Sequence, residues 1–174
     1  HYHNIDFINW VMGTHPVKVV ASGGISWRKG KELYGNIYDH MASDFEYPGG
    51  IRYSSHCRQY PANCVRDVSD LIVGTKGVST GLDLNSGKGI NPYVQEHINL
   101  VNSIRGTGPY LNEGQRVAEA TMTAIMGRES AYSGQAITWD MIMNSQLDLQ
   151  PKAFDYKLQM APPALPEPGT YKFI

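Results

Sequence analysis

Charge of either sign is nearly absent from the balance: 15 Lys and Arg stand against 16 Asp and Glu, a formal charge of −1 over 174 residues. Such a chain exerts no global pull on nucleic acid or anionic lipid, so no nucleic acid and no membrane is expected as a partner. No apolar run approaches the roughly 18–20 residues that a bilayer-spanning helix needs. Cysteine is scarce. Cys57 and Cys64 cannot define a disulfide framework, and their spacing matches no zinc ribbon. A signal peptide and an initiator Met are also missing. The sequence therefore reads as a fragment of a longer, soluble protein, cytoplasmic or exported. What is present suits a folded domain: 41% hydrophobic residues, three Trp, eleven Tyr and four Phe. A chain of this length buries roughly 68–70% of its unfolded surface.

Common site motifs fail on spacing. Gly24 with Gly30-Lys31, and Gly81 with Gly87-Lys88, place five residues between the glycines where a phosphate loop has four. No G-x-G-x-x-G lies between a strand and a helix, so no dinucleotide fingerprint is present. Asp83-Leu84-Asn85 opens like a calcium loop, but Lys88 and Val94 stand where Gly and Glu are required. There is no G-x-S-x-G elbow. His1 and His3 form only a terminal H-x-H, and no metal site is expected. Cys57 reads as a small buried hydrophobe.

The element pattern is more informative. Residues 1–12 have helical spacing through Ile5, Ile8 and Met12, with Gly13 to end the helix. Val17 to Ala21 is strand-like, and 25–35 reads as an exposed loop. Pro48-Gly49-Gly50 separates two strand-like runs, 36–47 and 51–60, predicting a hairpin. Counting back from Tyr47 opposite Ile51 sets Glu46 opposite Arg52 and His40 opposite Arg58. One face then holds Ile37, Met41, Phe45, Tyr47, Ile51, Tyr53 and Cys57. The other holds His40, Asp44, Glu46, Arg52, His56 and Arg58. Strands are also predicted over 68–73 and 78–84. Asn91-Pro92 opens a helix with the apolar stripe Val94, Ile98, Val101 and Ile104, closed by Gly106. A second helix is predicted from Asn112 toward Gly134, turning Val117, Thr121, Ala124, Ile125 and Arg128 inward. Both helices are expected to cover the hairpin's apolar face. Thr138 can cap a short third helix. From 150 to 174 the chain is Pro-rich and expected to be extended. The whole is an α+β, two-layer reading: an open, mostly antiparallel sheet with helices on one face.

Several segments taken in order resemble the domain that follows the nucleotide-binding domain in the Gfo/Idh/MocA oxidoreductases. They are His3-Asn4-Ile5-Asp6 with Asn9-Trp10-Val11-Met12-Gly13, Gly35 to His40, Phe45-Glu46-Tyr47-Pro48, Gly74 to Gly77, Asn91 to His97, and Ala131 to Gln135. The Pro-rich end closing in Tyr171-Lys172-Phe173 is also similar. The resemblance spans residues 1–174 and implies one such domain, shaping a sugar or cyclitol pocket and pairing as a homo-oligomer through the open sheet. It implies NAD or NADP in the full-length protein, bound by a Rossmann domain; none is expected for the fragment, which would be inactive alone. The family's H-x-x-D histidine maps to His3, and an imidazole suits taking a hydroxyl proton. Asp6 is the expected structural partner of His3. A histidine at a helix start with an acid in its first turn also fits both residues. Tyr38, His40 and Arg58 are candidate substrate contacts, and a solvated or oligomer-facing sheet explains them equally. Besides a dehydrogenase half, a binding or oligomerisation module and an NAD-dependent glycosidase remain open.

Overall fold

The computed structural model describes residues 1–81 and 89–173. The far end of the strand expected at 78–84, and the loop motifs tested around Asp83 and Gly87, lie outside the described residues. In chain order the elements are α1 (Tyr2–Met12), β1 (Lys18–Gly24), α2 (Lys31–Tyr34), β2 (His40–Glu46), β3 (Arg52–Arg58), β4 (Ile72–Gly74) and β5 (Gly77–Ser79). They continue with α3 (Pro92–Arg105), α4 (Gly114–Ser133), β6 (Ile137–Thr138) and α5 (Trp139–Met143). The chain divides into two units, His1–Val65 with Glu119–Ile174, and Arg66–Ala118.

The first unit is built on an open four-stranded sheet ordered β3-β2-β1-β6. Every pairing in it is antiparallel. The hairpin register is the one the turn predicts: Glu46 faces Arg52 and His40 faces Arg58. Tyr47 N–H donates to the Ile51 carbonyl at 2.8 Å. Gly49 and Gly50 turn the chain at φ 79° and 77°, where a Cβ is strained. Ile37 and Ile51, expected on the core face, lie outside the strands and are exposed. A second expectation also needs correction: the loop 25–35 contains the short helix α2.

Alternation along the strands puts Ser43, Phe45, Tyr47 and Ser55 on one face, and all four are buried. α1 and the later part of α4 cover that face. A Cβ built on Gly127 of α4 would meet Phe45 Cζ and Ser43 Oγ, both at 3.1 Å. The Tyr47 hydroxyl donates to Asn9 Oδ1 of α1 at 2.5 Å, and Asn9 Nδ2 donates to Thr123 Oγ1 of α4 at 3.0 Å. Thr123 Oγ1 donates in turn to the Glu119 carbonyl at 2.8 Å, so this buried polar chain is satisfied along its length. Val19, Phe45, Met126 and Ile137 are fully buried around it. Each contributes about 1.5–3 kcal/mol by area removed from water.

The inward face expected for α4 is corrected. Val117 and Thr121 are exposed, whereas Thr123, Glu129, Ser130 and Ser133 are buried. These polar side chains are inside because each has an internal partner. Ser130 Oγ accepts from Ala21 N at 2.9 Å, just where β6 stops pairing with β1. Ser133 Oγ donates to the Glu129 carbonyl at 2.7 Å. Thr138 caps α5 as expected, accepting from Met141 N at 3.2 Å.

Among the described residues the Pro-rich segment from 150 onward has no helix or strand, yet its end is part of the core. Phe173 is fully buried and its carbonyl accepts from the Ser145 hydroxyl. Gly169 N–H donates to the Ser133 carbonyl at 2.9 Å.

In the second unit, β4 and β5 pair around the two-residue turn Thr75-Lys76 and are shorter than the predicted runs. α3 begins as predicted: the Asn91 side chain accepts from Tyr93 N at 2.9 Å, Pro92 follows, and Gly106 ends the helix at φ 69°. It carries no buried residue. Val94, Ile98, Val101 and Ile104 form the stripe and are all exposed, not buried as a core face would be. No helix among the described residues is long and apolar enough to cross a membrane.

Candidate functional site

α1 docks through Ile5, Ile8 and Asn9, which leaves His3 exposed at the helix start. Its ring lies 6.1 Å from that of Tyr2, edge to face. Ser55 Oγ of β3 is 2.8 Å from His1 Nε2, so the first turn of α1 sits at the β3 edge of the sheet. Burial pushes the Cys57 thiol up, and hydrogen bonding to Met41 offsets this only partly. Cys57 is thus kept as a thiol rather than a nucleophilic thiolate. Asp6 is half-buried one turn beyond His3. Among the described residues no three His, Cys, Asp or Glu side chains converge as a metal site.

His40 and Arg58 stand opposite one another on the other face of the sheet, away from α1 and α4. Just before β2, the fully buried Asp39 carboxylate closes the 26–28 loop. Oδ2 accepts from the backbone N–H groups of Ser26, Trp27 and Arg28 at 2.9, 2.9 and 3.0 Å. Oδ1 accepts from His40 Nδ1 at 2.8 Å. Burial pulls the Asp39 pKa up, but these hydrogen bonds, from Arg28, His40, Trp27 and Ser26, outweigh it and hold the group well below the usual carboxylate range. An ionised carboxylate only accepts, so the proton on Nδ1 is fixed and Nε2 is the outward nitrogen.

Tyr38 takes a different place. It is buried, its hydroxyl donates to the Pro166 carbonyl at 2.7 Å, and its ring meets Tyr132 edge to face at 4.7 Å. Burial first, then Tyr132 and Glu167, raise its pKa. The structure therefore does not bring the four sequence candidates together. Tyr38 lies in the core beneath the tail, His40 and Arg58 on the open face, and His3 at the start of α1. Asp39 went unnoticed in sequence, because nothing in a lone Asp marks three backbone donors more than ten residues upstream. Buried Glu129 was missed likewise; it accepts from Arg128 Nε at 2.7 Å and the Tyr171 hydroxyl at 2.8 Å.

A nicotinamide dinucleotide would need a helix start or backbone nest for its pyrophosphate. The nest that follows β1, at residues 26–28, is already filled by Asp39. All strand pairings are antiparallel, so the described residues contain no parallel βαβ unit. The 26–28 nest therefore does not fit that group.

No protein-family model matches the sequence, and comparison with curated proteins gives no significant match. Solved structures do match. Myo-inositol dehydrogenase of Corynebacterium glutamicum is similar over 79% of this chain and 47% of its own, with TM-score 0.57 and 19% identity. The WlbA dehydrogenase of Bordetella pertussis, solved with NADH and UDP-GlcNAcA, is similar over 79% and 42%, with TM-score 0.53 and 17% identity. The chain has the fold of part of an inositol-dehydrogenase-type oxidoreductase. Scyllo-inositol dehydrogenase of Lactobacillus casei, solved with NAD(H) and scyllo-inositol, is similar over 79% and 46%, with TM-score 0.52 and 13% identity. The chain spans less than half the length of these structures. The inositol-dehydrogenase-type fold bears out the resemblance read from the sequence, and with it the open antiparallel α+β architecture.

Proposed function

We propose that this chain is the substrate domain of an NAD(P)-dependent oxidoreductase of the Gfo/Idh/MocA family, acting on a secondary hydroxyl of a sugar, cyclitol or derivative. The observation that carries the reading is the fold, shared with inositol dehydrogenases and a dehydrogenase solved with NADH and UDP-GlcNAcA. His3 is the proton acceptor in this reading. It is exposed at the start of a helix whose opposite side is fixed in the core, so its ring is positioned yet reachable. Asp6 supports it from the same helix, and Tyr38 acts by anchoring the tail. The dinucleotide is held by a domain outside these residues. The turn end of the open sheet face, at Glu46 and Arg52, pairs two copies.

The test is an oxidation screen on the full-length protein with NAD or NADP and a panel of cyclitols, hexoses and uronates. Reduced nicotinamide and a new ketone in equal amounts are expected from at least one of them. No oxidation of any polyol, or hydrolysis of a glycoside in its place, would contradict the reading.

A further inference from the structure

The open sheet face is segregated by charge. At the turn end its ions are paired with each other: Lys18 Nζ lies 3.0 Å and Arg52 Nη2 3.1 Å from Glu46 Oε2, and Arg52 Nη1 lies 3.7 Å from Asp44. At the other end stand His40, Arg58 and His56; the nearest acid among the strand residues of that face is Asp44, diagonal to His56 and ion-paired with Arg52. Directly opposed residues in such a pair have Cβ atoms about 4.5–5.5 Å apart, and diagonal ones about 7–8 Å. His40 and Arg58 are the direct pair, and His56, opposite Ala42, is the diagonal one. The neighbours of His40 on this face are small. A Cβ built on its cross-strand partner Gly24 would come within 3.5 Å of the imidazole Cε1, and Ala42 follows along the strand.

Two of these groups are held in place before any ligand arrives. His40 is oriented through Nδ1 by the buried Asp39 carboxylate at 2.8 Å. Nε2 is the ring nitrogen left for a ligand, and it donates to an anion when the ring carries both protons. Arg58 donates through Nη2 to the Val65 carbonyl at 3.0 Å and stacks on the Tyr60 ring at 4.9 Å, leaving further guanidinium donors. Arg28 stands at the same end of the sheet. Its Nη2 donates to Gln59 at 3.3 Å, while its Nε is buried without a partner. The Asp39 charge is already consumed by backbone donors, so it offsets the cations on the face only in part.

We propose that His40, Arg58 and His56 form a binding site for a carboxylate or phosphate group on a small polar ligand. The free edge of the Arg58 guanidinium supplies charge-assisted hydrogen bonds to the oxyanion, and the His40 ring adds one from Nε2 when it carries both protons. Gly24 and Ala42 leave the floor on which it rests. The site does not depend on the oxidoreductase reading.

The test is titration of the full-length protein with sodium glucuronate, glucose 6-phosphate and, as the neutral control, glucose, followed through the imidazole nitrogen resonances of His40 and His56. Both anions, or one of them, should bind at least tenfold more tightly than glucose; the stronger identifies the carboxylate or the phosphate ester as the source. Arg58→Gln and His40→Asn should each weaken that binding at least tenfold. Lys18→Gln, which removes a cation at the other end of the same face, should change it less than twofold. No preference over glucose would overturn the proposal. So would equal weakening by Lys18→Gln, which reports charge alone, or indifference to His40→Asn, which removes the oriented imidazole from the site. Arg58 is exposed, so its variant keeps the test decisive if His40→Asn fails to fold.

Discussion

The Asp39 carboxylate gathers five donors from a loop and a strand, and its energetics follow from the protonation state those donors select. Burial alone would raise its pKa; the hydrogen bonds from Arg28, His40, Trp27 and Ser26 reverse the sign. A group whose pKa is lowered by folding stabilises the native state above its unfolded value, about 3.9, and loses that contribution as pH falls toward the folded value. Asp39→Asn should therefore destabilise the protein at neutral pH by about 1–3 kcal/mol, the cost of leaving buried donors poorly matched. The difference should shrink as pH drops below about 4. Urea unfolding of both proteins across that range is the check, and a difference independent of pH would remove the ionic account. No sequence signal announced this residue. His40 beside it was visible as a polar strand position, but its orienting partner depends on a loop that closes only in three dimensions.

At the scale of elements, what was legible followed from local rules. The hairpin register came from one turn tripeptide and a period of two, which leave few alternatives. The start and stop of α3 followed from Asn91-Pro92 and Gly106 for the same reason. Packing partners were not legible. The apolar stripe of α3 reads as a core face and is exposed, while α4 buries Thr123, Glu129, Ser130 and Ser133, residues a hydrophobicity pattern assigns to water. Their burial rests on hydrogen bonds to Asn9, Tyr171, Ala21 and a helix carbonyl, all set by tertiary placement. The strand glycine Gly23 belongs to the same class, since a Cβ there would lie 2.5 Å from the His40 carbonyl oxygen. The tail was visible only as composition. Its closing residues act as an anchor, with Phe173 fully buried and Tyr171 on Glu129. Burial, followed by the Glu129 hydrogen bond, pushes the Tyr171 phenol up and keeps it a donor at neutral pH. Phe173→Ala should cost about 3–5 kcal/mol, the usual range for emptying a buried aromatic site. A shift in the urea midpoint below what about 1 kcal/mol would produce would show that the tail rests on the fold without supporting it.

For the whole molecule, the open face and the start of α1 carry the functional proposals. Pairing two copies through the turn end of the open face would bring Glu46 of one toward Arg52 of the other. Within one chain these two are already paired at 3.1 Å, and Lys18 joins them, lowering the Glu46 pKa. Pairing of copies through this end must therefore exchange ion pairs rather than create them. Sedimentation at micromolar concentration should show a dimer that Arg52→Glu dissociates. A monomer throughout, or a dimer indifferent to the reversal, would take this face out of the interface. The proton acceptor is the more central claim, because His3 joins the fold to the chemistry. Comparing steady-state turnover of the full-length protein with and without His3→Ala, on a polyol it oxidises, tests it most directly. The account predicts a kcat lowered by about 10²-fold or more, the scale of a lost general base. Near-normal turnover of His3→Ala at neutral pH would contradict it.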